Sequence, residues 1–214
     1  CTPAQIFLHT GHLQLGKPSM GSWVTYGIGS ESEDLPAYIV LGKTAVSGGP
    51  ACFNCGFLPT IYQGVPFRSK GAPILFVENP AGIDAQLQRD TLDTIQRLNR
   101  DRLRAVGDPE IAARISAYEM SFRLQTSAPE LMDLSGESAH TLEMYGADPA
   151  KPSFASQCLL ARRLVERGVR FVEVSINGWD HHSKVVDGVR ELSNTDDRPS
   201  AALVKDLKQR GLLD

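Results

Sequence analysis

The chain has 214 residues, room for one large or two small domains around a sizeable core. A hydrophobic share of 42% against 22% charged is the composition of an ordinary globular protein. A net charge of −3 leaves no basic footprint for nucleic acid or an acidic membrane, and no apolar run approaches the roughly 20 residues that cross a bilayer.

Ala4–His9 reads as a short strand, turning at Thr10-Gly11. Gly16-Lys17-Pro18-Ser19 then opens a short helix over Met20–Tyr26, with Ser19 placed as its N-cap. Leu35–Leu41 is apolar almost throughout, which predicts a strand of a parallel sheet buried on both faces. From Gly42 to Gly71 the chain is rich in Gly and Pro, a long loop holding short strands. Within it Cys52 and Cys55 form a C-x-x-C with no second pair to complete a zinc site. They read as a local disulfide or two free thiols, with a redox or metal role as the alternative.

Ile74–Val77 is a brief strand. Asp84–Val106 is a long amphipathic helix, with Leu87, Leu92, Ile95, Leu98 and Leu103 at roughly helical spacing. Gly107 stops it, and Asp108-Pro109 caps and starts the next helix, which runs to about Leu124. Two shorter helices follow, at Ser127–Glu130 and Ser135–Tyr145. Ser153–Arg167 is a helix with Cys158 on its apolar face, and Gly168 leads into a strand at Arg170–Ile176. Asp187, Asp196 and Asp197 fall in a solvated polar loop before a last helix, Ser200–Arg210. A helix-Gly ending of that kind normally feeds another strand, so the reading expects a span cut from a longer protein. The fold class is therefore α/β: a parallel-sheet core at both ends, with a helical insertion over about residues 84–150.

The strongest chemical signal is RFVEVSINGWDHH, in which a strand runs straight into Gly178, Trp179, Asp180, His181 and His182. Ligands bind where strands of open α/β sheets end. Asp180 and His182, two apart in an extended segment, share a side and form a candidate ligand pair for zinc, manganese or iron. His181 faces elsewhere, toward substrate or a supporting carboxylate. Lys17, Ser19 and the helix start at Met20 form a candidate anion site, against the plainer reading of a structural cap. His9 and His12 form an H-x-x-H that could contribute a ligand but reads more simply as hydrogen-bonded histidines, and His140 reads as surface. No G-x-S-x-G elbow, Walker loop or dinucleotide glycine fingerprint is present, which argues against serine hydrolase, P-loop and nicotinamide chemistry.

The stretches PAQIFLHTGH, GKPSMGSWVTYGIGSE, DLPAYIVL, GFLPTIYQGVPFRS, CLLARRLVERGVRFVEV and GWDHH occur in order along the chain. Together they resemble a bacterial domain-of-unknown-function family, number 1501, of exported sulfatase-like proteins in the alkaline phosphatase superfamily. The resemblance implies a partial alkaline-phosphatase-like parallel-sheet core. It also implies a divalent metal (zinc, manganese or calcium) that polarises ester oxygens, a metal-bound hydroxyl nucleophile, and a periplasmic or secreted location. Family members carry Gly-Trp-Asp-x-His where this chain has Gly178–His182, which carries Asp180 and His182 across as metal ligands. They also carry an Asp-rich segment earlier and an Asp-His pair later that would complete the metal centre. The expected function is thus hydrolysis of sulfate or phosphate esters on small-molecule or polysaccharide substrates, by a chain of which these residues are a fragment. The alternative is a catalytically inactive exported binding or structural protein on the same fold.

Overall fold

Three parallel strands form the centre of the computed structural model, which describes residues 2–42, 48–68, 79 and 82–213. Strand β1 (Tyr38–Gly42) lies between β2 (Val65–Phe67) and β3 (Phe171–Ser175). Tyr38 pairs with Phe171 and Gly42 with Ser175, while Ile39 pairs with Val65 on the other side. Strand alternation sorts the side chains between two faces. Ile39, Leu41, Val172 and Val174 join the larger core. Helices α4 (Pro109–Met132), α5 (Ala139–Tyr145), α6 (Phe154–Glu166) and α7 (Val185–Gln209) complete that core through buried Leu131, Tyr145, Leu159, Leu164 and Ala202. Tyr38, Val40 and Phe171 face the opposite way, beside Cys52 and Phe53. All five residues of β1 are therefore buried, as its unbroken apolar run predicts.

Helix α2 (Met20–Ile28) covers this second face, and one glycine sets how closely it can approach. A Cβ on Gly21 would stand 2.6 Å from the Tyr38 ring and 2.7 Å from the Phe171 ring. Those rings already meet edge-on, with centroids 5.1 Å apart, and Tyr38 is itself buried, so neither has room to turn away. Gly21→Ala is expected to cost about 1–3 kcal/mol as an overpacked site. The urea midpoint checks this; an unchanged midpoint would mean that α2 does not seat on the sheet.

Two segments differ from the sequence reading in the type of element they form. Ala4–His9, expected as a strand, lies within helix α1 (Thr2–Thr10), where Ile6 is buried while Phe7 and Leu8 are exposed. One buried position in nine residues is a helix touching the body along a thin stripe, and a short apolar run does not reveal its own period. The polar stretch holding Asp187, Asp196 and Asp197 is helix rather than loop, since α7 takes in all of it. Gly188, Leu192, Asp196, Pro199, Ala202 and Asp206 recur on its inner side at helical spacing, with full burial starting only at Pro199. Asp187 and Asp197 lie on the exposed side, in agreement with a solvated role. Pro199 sits inside α7 and interrupts its backbone hydrogen bonding once.

The expected helices at Asp108–Leu124 and Ser127–Glu130 are one helix, α4, which carries Pro129 within it. Helix α3 (Ala85–Val106) starts at an Asp84 cap whose carboxylate accepts from the Leu87 N–H, and it ends at left-handed Gly107, as read. It packs on α4, partly through polar contacts: Arg89 reaches Glu119 at 3.0 Å, and Gln96 donates to the same carboxylate. Leu87 and Leu98 stay exposed on its outer side. The α6 helix, which starts at a Ser153 cap, the Gly168 stop and β3 all lie where the sequence reading has them, and Cys158 is core. The strand expected at Ile74–Val77 lies outside the described residues.

Candidate functional site

The loop leaving β3 carries the predicted residues. Gly178, at a positive φ of 113°, bends the chain against Leu192 of α7. The His181 N–H donates to the Trp179 carbonyl at 3.1 Å and tightens the turn. Asp180 Oδ1 then stands 3.7 Å from His182 Nδ1, with the two side chains 78% and 84% exposed. Carboxylate and imidazole are side by side and open to solvent. His181 points elsewhere, its ring packed against Gly188 in the first turns of α7 with Nε2 buried and unpartnered among the described residues. Lys184 closes the loop in the left-handed region at φ 48°, strain of a kind that concentrates at functional segments. Among the described residues, no group of three or more His, Cys, Asp or Glu side chains could hold a metal ion. Asp180 and His182 can thus supply two ligands, and a metal centre needs at least one more.

The other predicted anion site is built differently. Ser19 is buried: its hydroxyl is 2.9 Å from that of Ser22, and its N–H donates to the Asn54 carbonyl at 3.0 Å. The Ser22 hydroxyl donates to the same carbonyl. Gly56, at φ 56°, lets this loop press on the chain before the helix, since a Cβ there would fall 2.4 Å from the Pro18 nitrogen. Ser19 therefore anchors the start of α2, while Lys17 beside it is half-buried. Cys52 and Cys55 are free thiols, both buried, and burial pushes both thiols up so that they remain protonated and unreactive near neutral pH.

Sequence reasoning missed a second polar cluster. Glu173 extends from the middle of β3 onto the face shared with Tyr38 and Phe171. Its carboxylate accepts from the Tyr38 hydroxyl at 2.8 Å and from Ser175 at 3.3 Å, and it lies 3.5 Å from His9 Nδ1. The His9 and Glu173 side chains are only 17% and 15% exposed. A lone acid in the apolar run FVEVS was the signal, since such a residue needs a partner to be buried. The partner, His9, had been noted for its spacing to His12 instead; His12 is exposed on the far side of the turn.

Burial alone would raise the Glu173 carboxyl, but His9 and the two hydroxyls outweigh it and hold the group below the ordinary carboxylate range. The bond to Glu173 raises the His9 imidazole against the opposing effect of burial. The signs set a stability window. The Glu173 contribution is present above the unfolded carboxylate pKa and fades as the pH falls through its depressed value. The His9 contribution is complete below the ordinary value of 6.5 and fades as the pH rises through the raised one. Unfolding free energy measured from pH 6.5 upward is therefore expected to decline in the native chain and to lose that component of the slope in His9→Gln. Equal slopes would mean that the pair is not ionised.

A family profile described as "Protein of unknown function (DUF1501)" matches residues 2–214. No curated protein and no solved structure matches the chain.

Proposed function

The chain belongs to the DUF1501 family, and from that premise we propose that it is part of an exported, metal-dependent hydrolase of sulfate or phosphate esters. The observation that carries this reading is Asp180 Oδ1 at 3.7 Å from His182 Nδ1, on a solvent-open loop at the carboxyl end of a parallel strand. An oxygen and an imidazole nitrogen suit zinc or manganese, and calcium would favour the carboxylate. A bound metal would polarise the ester oxygens and stabilise their charge. The protein side supplies the rest. Asp180 and His182 would hold the ion, Lys17 would offer a cation to the anionic group, and His181, packed on Gly188, would hold the loop against α7 instead of bordering the substrate. Ser19 would act by fixing where α2 begins. On this reading the three-stranded sheet is part of an alkaline-phosphatase-like core, and further ligands come from outside the described residues.

The lack of a three-ligand group among the described residues favours one other reading, an exported binding protein that kept the fold without the chemistry. Metal content of the full-length protein by elemental mass spectrometry separates the two. Stoichiometric metal that Asp180→Ala removes, together with turnover of aryl sulfates or phosphates, is the expected result. Metal content that Asp180→Ala leaves unchanged would overturn the assignment, and bound metal with no turnover would favour the binding protein.

A further inference from the structure

The nine-residue helix α1 is fastened to the body along one narrow stripe. Ile6 is its buried side chain, Gln5 Oε1 accepts from the Gly48 N–H at 3.0 Å, and His9 Nδ1 lies 3.5 Å from Glu173 Oε2. Gln5, Ile6 and His9 stand at i, i+1 and i+4, so one side of the helix makes all these contacts. Gly48 lets the contact close, since a Cβ there would fall 2.4 Å from Cys52 Sγ and 3.3 Å from Ile6 Cγ1. Phe7 and Leu8 on the outer side are exposed.

A tether follows the helix. Residues 11–16 are all exposed, and Gly11 and Gly16 hold positive φ angles of 73° and 85° with nothing within 4 Å of where a Cβ would lie. Beyond them the chain is anchored again by the Ser19 N–H on the Asn54 carbonyl. Helix α1 can therefore leave its seat without disturbing α2. Nine residues are too few for a helix to persist alone in water, where about 12–15 are needed, so α1 unravels once it is off the body.

The groups at the seat decide when it leaves. Glu173 faces His9 from β3, the Tyr38 hydroxyl donates to Glu173 from β1, and Ser175 donates to it from the end of β3. The Cys52 thiol stands near the same carboxylate, from the helical turn Gly49–Cys52 against which α1 packs. Burial pushes both the Tyr38 hydroxyl and the Cys52 thiol up, so both stay neutral near neutral pH. Among the described residues, His9 is thus the cation paired with Glu173, and it titrates in the ordinary working range.

We propose that α1 is a pH-released strap: the His9–Glu173 ion pair pins it to the sheet, and loss of the His9 proton lets it swing off on the Gly11–Gly16 tether and uncover Glu173. The pair is complete below the ordinary imidazole value of 6.5 and fades as the pH rises through the raised His9 value. The strap is independent of any chemistry at Asp180.

Chymotrypsin cleavage after Phe7 reads the strap directly, because proteolysis of a transiently opened segment tracks the population of the open form. The full-length protein is digested at about pH 6 and about pH 9, on either side of the imidazole range. Each rate is divided by that of a free peptide of residues 2–12 of the same sequence, which removes the enzyme's own pH dependence. The native ratio is expected to rise about tenfold, as for a linkage of one pKa unit. In His9→Gln and Glu173→Gln the ratio should be high and the same at both values. Cleavage after Tyr145, which is fully buried, reports opening of the whole fold and should stay slow throughout. A native ratio that does not change with pH would overturn the proposal, as would a Gln variant that keeps the native rise. So would cleavage after Tyr145 that rises in step with cleavage after Phe7, since the whole fold would then be opening.

Discussion

Arg162→Ala is expected to lower the unfolding free energy by about 3–5 kcal/mol, the cost of removing one partner from a buried ionic cluster. Arg162 is 4% exposed and faces three carboxylates. Its Nη1 is 2.6 Å from Glu166, its Nη2 is 2.6 Å from Glu137, and its Nε is 3.4 Å from Asp206. Asp206, equally buried, also accepts from the Tyr145 hydroxyl at 3.0 Å and from Arg210 Nε at 2.7 Å. One guanidinium thus joins the approach to α5, two turns of α6 and the end of α7. Truncation would leave the Glu137 and Asp206 carboxylates, 13% and 5% exposed, with their charges less compensated. Arg162→Lys should recover only part of the loss, since an ammonium cannot present a planar fork to three acceptors. Chemical denaturation of the three proteins is the measurement. A loss below about 1 kcal/mol would place the cluster with surface ion pairs, which contribute little.

The second large effect concerns activity and rests on the proposed hydrolase. Replacing Asp180 by Asn or His182 by Ala is expected to reduce kcat/KM toward an aryl sulfate or phosphate by at least about 100-fold. Residues that merely support metal ligands are worth about 10–100-fold in metal affinity or activity, and a ligand itself should exceed that. Both side chains are highly exposed and the core does not depend on them, so the melting temperature of either variant should stay close to native. The paired readout matters: a rate loss without a stability loss is the signature of a site residue. A variant that turns over like the native enzyme would remove these two residues from the chemistry.

How much of this was legible in the sequence depended on whether the determining contacts were local. The caps at Asp84, Asp108 and Ser153 are short-range devices, and each marks a helix start in the structure. The unbroken apolar run before Gly42 announced a strand covered on both faces, and β1 is one. Helix α1 was misread because a single buried residue, Ile6, defines its contact, and one residue has no period. The first half of α7 was misread because its residues are largely polar and mostly exposed, so composition suggested a loop where i, i+4 spacing held a helix. The adjacency of Asp180 and His182 was readable because they are two residues apart. The Tyr38–Glu173 bond spans 135 positions, and no local pattern foretells which strand will bring its partner.

The proline within α7 has a consequence for how firmly the two parts of that helix are held. Past Pro199, Ala202 and Asp206 are buried and the Arg162 cluster grips the end; before it, the turns that receive His181 at Gly188 are only half-covered. Amide exchange should therefore be graded along one continuous helix, fast at its beginning and slow at its end, with the break in hydrogen bonding as the seam. The segment bearing the exposed carboxylate–imidazole pair hangs from the looser portion. In the proposed hydrolase it would rearrange around an incoming ion or substrate without drawing on the cohesion of the interior.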